Sequence, residues 1–86
     1  MVEEKIGIVE HFFTNINVAA IKITNGELKI GDDIHFVGAH TDLIHHVDHM
    51  EINRAPVLIV KAGDAIGIKV AGKVRDHDSV YKISKG

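Results

Sequence analysis

The sequence predicts an all-β fold, a small closed or partly open antiparallel β-barrel of about six to seven strands. Apolar and polar residues alternate with a two-residue period along short segments rich in Ile and Val. Turn residues separate these segments at short intervals, and no stretch of about ten residues has the periodicity of a helix. Barrel closure suits so short a chain because it leaves few strand edges exposed. The 86 residues are expected to form a single barrel domain over 1–86, with its core at about 6–83.

Seven segments carry this alternation, and each is predicted to be a strand. In chain order they are 5–13, 17–24, 33–37, 42–47, 49–52, 65–70 and 79–83. Asn25-Gly26 is predicted to be a tight turn, because both residue types tolerate positive φ.

The only proline, Pro56, lacks a backbone donor and is expected to end a strand or to lie in a loop. It opens the apolar run 56–60, which is interpreted as buried core. A protein interface or a homodimer contact is the alternative for this run, and the oligomeric state is left open.

The composition excludes several classes of function. Absence of cysteine rules out disulfides, thiolate metal sites and a cysteine nucleophile. Ten basic residues stand against twelve acidic ones, for a formal net charge of −2, which is not typical of a polybasic nucleic-acid or membrane binder. The sequence has neither a signal-peptide pattern nor a long apolar run, so a cytoplasmic protein without a membrane partner is expected.

A short turn pattern occurs three times, at 29–34, 61–66 and 75–80. It consists of a basic residue, a spacer, Gly, Asp, a second spacer and a branched apolar residue. Glycine provides an unusual φ, and the following Asp is expected to bond to nearby backbone N–H groups. The third copy has His77 where the others have glycine, so a strained turn or another turn type is predicted there. The turn-signature residues are Gly26, Lys29, Gly31, Asp32, Gly63, Asp64, Arg75 and Asp78.

These turns belong to an ordered set of motifs over about 6–83. The set is Gly7-x-Val9, Val18-Ala19-x-Ile21, the segment 26–34, the segment 62–68 and Val74-Arg75-x-x-Asp78-x-Val80. It resembles the β-barrel second domain of translational GTPases, the family that includes elongation factor Tu and initiation factor two. It is also similar to small stand-alone translation elongation factor-like proteins that consist of this barrel alone. A related barrel is attached to some collagenase-like peptidases.

The resemblance implies a non-enzymatic binding module that contacts ribosomal or transfer RNA, or a protein partner, in translation. It does not extend to GTP, because the sequence has no G-x-x-x-x-G-K-[ST] loop, and no cofactor is expected. The candidate RNA contacts are Lys69, Lys73, Arg75 and Lys82. An accessory subunit of a peptidase or a GTPase is the alternative.

The seven histidines are the main compositional oddity, and four of them lie within 40–49. On one continuous strand, His45 and His49 would share a face and could be joined by a third metal ligand. Histidine-based metal binding is therefore a second alternative. A third is a response to pH, since full protonation would change the formal net charge from −2 to +5. No catalytic constellation assembles around the few hydroxyl groups, so the chain is not expected to be an enzyme.

Overall fold

The computed structural model describes residues 2–84, which fold into ten β-strands joined by short turns, without a helix. The strands are β1 (Val2–Phe13), β2 (Val18–Ile23), β3 (Glu27–Lys29), β4 (Asp33–Gly38), β5 (Thr41–His46), β6 (Met50–Ile52), β7 (Ala55–Val57), β8 (Ile59–Lys61), β9 (Ala65–Lys69) and β10 (Ser79–Ser84). The all-β prediction is confirmed, and each of the seven predicted segments contains a strand. Within residues 2–84, no helix is long and apolar enough to span a membrane.

Eight strands form one antiparallel sheet in the order β5-β4-β10-β1-β2-β9-β6-β7, and β3 pairs with β8 separately. Because β5 and β7 end the larger sheet, the barrel is of the partly open kind. Backbone bonds tie the smaller sheet to both ends of the larger one. Gly31 N donates to Val47 O at 2.7 Å just after β5, and Ile30 N donates to Leu58 O at 3.0 Å just after β7.

The core lies between the inward faces of these strands. In β2, Ala19, Ile21 and Ile23 are fully buried while the residues between them are half-buried. Phe36 of β4 is also fully buried. Among residues 2–84, seventeen apolar side chains form one buried cluster. Burial of this apolar surface is the main force that stabilises the fold.

The interpretation of the run 56–60 as core is wrong. Only Val60 is buried, whereas Leu58 and Ile59 are 78% and 54% exposed. The run divides at Leu58 between β7 in the larger sheet and β8 in the smaller one, and of its five residues only Val60 and the half-buried Val57 contact the core.

The expectation for Pro56 is also wrong. It lies within β7 and pairs with Glu51. Since β7 is the last strand of the sheet, its outer edge needs no backbone donor, and a proline is tolerated there.

Candidate functional site

The three repeated turns have the same hydrogen-bond geometry. In each, the Asp carboxylate accepts a bond from the backbone N–H three residues earlier. The pairs are Lys29 N to Asp32 Oδ2 at 3.0 Å, Lys61 N to Asp64 Oδ2 at 2.9 Å and Arg75 N to Asp78 Oδ2 at 2.8 Å. The backbone N–H of each Asp also donates to the carbonyl of the same basic residue, which closes a four-residue turn.

The residue before each Asp has positive φ. The values are +99° at Gly31, +102° at Gly63 and +73° at His77. The third turn therefore keeps the geometry of the others and holds a histidine in a strained backbone conformation. Gly26 lies at +67° in the turn after β2. These contacts give the turn residues a structural role, because they fix the chain where strands begin.

Four of the histidines pair with carboxylates rather than with hydroxyl groups. The pairs are His11 Nδ1 with Asp76 at 3.3 Å, His35 with Glu3 and Asp42, His46 Nδ1 with Asp33 at 2.7 Å and His49 Nε2 with Glu51 at 2.8 Å. Within residues 2–84 no histidine bonds to a serine, threonine or tyrosine, so no activated hydroxyl nucleophile is assembled there.

His35 is bonded on both sides of its ring. Nδ1 lies 2.9 Å from Glu3 Oε1, and Nε2 bonds to Asp42. The hydrogen bond to Asp42, and then that to Glu3, raise the pKa of His35. Because ionised carboxylates only accept hydrogen bonds, this arrangement favours the doubly protonated imidazolium. The residue has a structural ion-pair role on the outer face of the sheet.

The geometry required by the metal-site hypothesis is absent. β5 ends at His46, so His49 lies outside the strand, and the alternation that would place it beside His45 is interrupted. His45 is half-buried with its Nε2 unbonded, and burial lowers its pKa. In the part of the chain that the structure describes, no three His, Asp or Glu side chains are grouped to hold a metal ion.

The four lysine and arginine residues predicted to contact RNA are distributed over β9, β10 and the connection between them. Lys69 ends β9, while Lys73 and Arg75 lie in the connection to β10. Lys82 lies on β10, where its Nζ is 3.4 Å from Asp32 Oδ2. Since Lys82 is half-buried and paired, the structure presents at most the other three as exposed cations. RNA contact by these residues stays a prediction.

An open groove of about 890 Å³ lies on the outer face of β2 and β9. Its floor is made of small side chains, since Ala20 of β2 lies directly opposite Gly67 of β9. Its lining residues are Phe13, Ile16, Val18, Ala20, Glu51, Asn53, Arg54, Ala65, Ile66 and Gly67. A mostly apolar concave surface with a few polar groups is the usual form of a small-ligand or peptide site.

One wall of the groove is formed by Phe13, which neighbouring residues hold in place. The His11 and Phe13 rings pack edge to face, with centroids 4.5 Å apart and planes at 79°. His11 pairs in turn with Asp76, whose other oxygen accepts a bond from Phe12 N at 2.9 Å. That backbone bond is the main reason why the pKa of Asp76 is lowered. The third repeated turn thus orients the wall of the groove.

The opposite wall is the two-residue turn between β6 and β7. Asn53 and Arg54 both have positive φ, at +51° and +66°, as the tight hairpin turn with two left-handed residues requires. An arginine is unusual in that position, which glycine fills more readily. The turn places an exposed guanidinium at the rim of the groove.

Sequence reasoning identified none of the groove as a site. The available signal was the outward face of two predicted strands, on which Val18, Ala20, Ala65 and Gly67 are all apolar where polar residues are expected. What the sequence could not supply is the pairing of β2 with β9, which brings these residues together.

Comparison with known proteins gives three findings. Residues 17–84 match the family described as Elongation factor Tu domain 2. An uncharacterised protease of Methanocaldococcus jannaschii is 37% identical over 82 residues, covering 94% of this chain and 20% of the protease. A collagenase of Porphyromonas gingivalis is 35% identical over 75 residues, covering 86% of this chain and 21% of the collagenase. The chain therefore spans about a fifth of the length of the curated relatives that it matches.

The fold is also found in a solved structure. The C-terminal domain of a putative U32 peptidase from Geobacillus thermoleovorans superimposes with a TM-score of 0.86 at 14% sequence identity, covering 94% of this chain and 93% of that one. At this identity the similarity concerns the fold alone. The named relatives are proteases, and they do not support the translation role that the resemblance implied.

Proposed function

The chain belongs to the elongation factor Tu domain 2 family, and on that premise we propose that it is the non-catalytic accessory barrel of a collagenase-like peptidase of the U32 type. The observation that carries the proposal is the 37% identity with a protease over 94% of the chain. The fold of a U32 peptidase C-terminal domain supports the same function. Of the functions expected from the sequence, this is the accessory-subunit alternative rather than the translation module.

A non-catalytic role fits the side-chain chemistry of residues 2–84. The histidines that pair with other side chains pair with carboxylates. Such pairs stabilise the protein surface and do not activate a nucleophile. No group of three metal-ligating side chains is assembled in the same residues. What the barrel offers is a concave apolar surface, which is suited to binding.

Immunoprecipitation from cells that encode the chain, with an antibody raised against the barrel, tests the proposal. The expected result is a U32-type peptidase in the precipitate, either in complex with the barrel or in the same polypeptide. In addition, the isolated barrel should not hydrolyse gelatin or peptides. When the barrel is added to a preparation of the peptidase that lacks the barrel, the kcat/KM of the peptidase should change.

A variant with Lys69→Gln, Lys73→Gln and Arg75→Gln provides the control for RNA. These substitutions remove the exposed cations predicted to contact RNA, and a tagged variant should retain the peptidase as well as the unchanged barrel does. Ribosomes or transfer RNA retained at low salt, lost in this variant and unaccompanied by a peptidase would contradict the proposal and favour the translation role.

A further inference from the structure

The groove on β2 and β9 combines an apolar floor with cations at its edges that are unpaired within residues 2–84. Ala20, Ala65 and Gly67 leave the floor shallow and free of bulky side chains, while Phe13 and Ile16 are 46% and 58% exposed at one side. Apolar side chains left exposed around a concavity are favourable contacts for an apolar ligand. The volume of about 890 Å³ is within the range of peptide and small-ligand sites.

The charges around the groove are asymmetric. Glu51 is engaged by His49, with Oε2 and Nε2 2.8 Å apart. Arg54, on the same hairpin, forms no ion pair with any group in residues 2–84. Lys69, which lies opposite Val18 at one end of the groove, is exposed and likewise unpaired within those residues. The two unpaired cations, Arg54 and Lys69, thus stand against the one carboxylate of the groove lining, Glu51, and an anionic group is the complementary ligand.

The groove is also preorganised. The packing of His11 on Phe13 and the bonds of Asp76 to His11 and to Phe12 N fix one wall. The β6–β7 hairpin fixes the backbone of Arg54 on the other, in a left-handed conformation that arginine rarely adopts. The Phe13 wall and the backbone of this hairpin therefore lose little conformational entropy when a ligand binds.

We infer that this groove binds the free carboxyl-terminal end of an apolar peptide, with the terminal carboxylate on the Arg54 guanidinium and an apolar side chain on the Ala20–Gly67 floor. The planar guanidinium matches a carboxylate with two parallel hydrogen bonds. The inference rests on the proposed function, because hydrolysis of a peptide bond leaves a new terminal carboxylate on the product. A peptidase barrel with this groove holds the carboxyl-terminal part of a substrate or product.

Fluorescence polarisation of two matched peptides tests the inference on the isolated chain. Both carry an N-terminal dye and the sequence Ala-Ala-Leu-Leu, and one ends in a free acid while the other ends in an amide. The acid should bind saturably, and about five- to tenfold more tightly than the amide, as expected for a partly exposed charge-assisted pair. Equal binding of the two peptides, or no binding of either at millimolar concentration, would overturn the inference.

Two variants identify the groups responsible. Arg54→Gln keeps a long polar side chain on the hairpin and should lower binding of the acid to the level of the amide, without changing binding of the amide. Gly67→Val should weaken the binding of both peptides, because the valine side chain fills the floor of the groove. A Cβ at Gly67 meets only Val18 Cγ1, at an ordinary 3.5 Å, and valine suits a strand, so this variant is expected to fold.

Arg75→Gln is the matched control, since Arg75 is an exposed arginine outside the groove. It should leave both affinities unchanged, and circular dichroism should show all three variants folded. If Arg75→Gln weakens the acid as much as Arg54→Gln does, the attraction is general electrostatics and the inference is wrong. A single-stranded RNA that displaces the peptide and loses binding in Arg54→Gln would also overturn it. A negative result in the peptide-binding experiment would not change the result of the immunoprecipitation. The two experiments therefore test the inference and the proposed function separately.

Discussion

Replacing His77 with glycine should stabilise the protein, because the structure places this histidine where its two equivalents are glycine. The three repeated turns share their hydrogen bonds, and φ is positive at +99° for Gly31, +102° for Gly63 and +73° for His77. A side chain in the left-handed region costs about 1–2 kcal/mol per residue. His77→Gly removes that cost without changing the turn.

The gain is reduced by the unfolded state. Glycine has more freedom in the unfolded chain, and this lowers stability by about 0.4–1 kcal/mol. The net expectation is a free energy of unfolding raised by about 0.5–1 kcal/mol. For a chain of this size, that corresponds to an increase in Tm of roughly 2–8 °C.

Urea and thermal unfolding followed by circular dichroism would measure the effect, with two matched variants. Gly63→His should be destabilising by a similar amount for backbone reasons alone, because a Cβ there meets no atom within 4 Å. His40→Gly, at an exposed position without positive φ, should give no gain. A destabilised His77→Gly protein, or an equal gain from His40→Gly, would refute the argument that backbone strain at position 77 is relieved.

Three further predictions concern packing and charge. Gly38→Ala should lower stability by about 1–3 kcal/mol in urea unfolding, because the new Cβ would overlap the buried Asp78 carboxylate; an unchanged midpoint would mean that this carboxylate moves freely. His35→Gln should cost about 1 kcal/mol at pH 5.5–6 and almost nothing at pH 9. The raised pKa of His35 means that its ion pairs stabilise the fold below the unfolded-state pKa of about 6.5, and that this stability is lost as pH rises through the folded pKa. A pH-independent loss would contradict that role. Leu58→Ala should change the free energy of unfolding by no more than about 0.5 kcal/mol, because the Leu58 side chain is 78% exposed. Val60→Ala should be clearly destabilising, because Val60 is buried. Similar losses for the two variants would indicate that Leu58 is covered.

With the exception of the three-residue β6, the strands that the sequence predicted are those long enough to show an alternation. β2 and β10 have six residues each, so their two faces can be told apart from composition. The three strands that were missed, β3, β7 and β8, have only three residues each. A three-residue strand shows hardly more than one period, and its existence depends on a distant partner.

The groove could be predicted less well than the fold, since its parts are separate in the sequence. Ala20 and Gly67 face each other only because β2 pairs with β9, and Arg54 reaches the rim only because β6 also pairs with β9. The metal-site hypothesis for His45 and His49 depended on a similar long-range feature. It required one strand to continue past His46. The chain leaves the sheet at that point, because Val47 is fully buried and bonds to the turn that precedes β4.

The core and the groove of this barrel use opposite faces of the same strands. The motifs that resemble the family contain inward-facing residues such as Ile21 and Ile68, together with the turn residues that begin strands. The groove is made of the outward-facing residues of the same strands and of Arg54, which lies outside every family motif. Outward positions can change without loss of the core, so one barrel can serve a translation factor in one protein and a peptidase in another. The family therefore accounts for the fold, while the partner has to be argued from the charge and shape of the outer face.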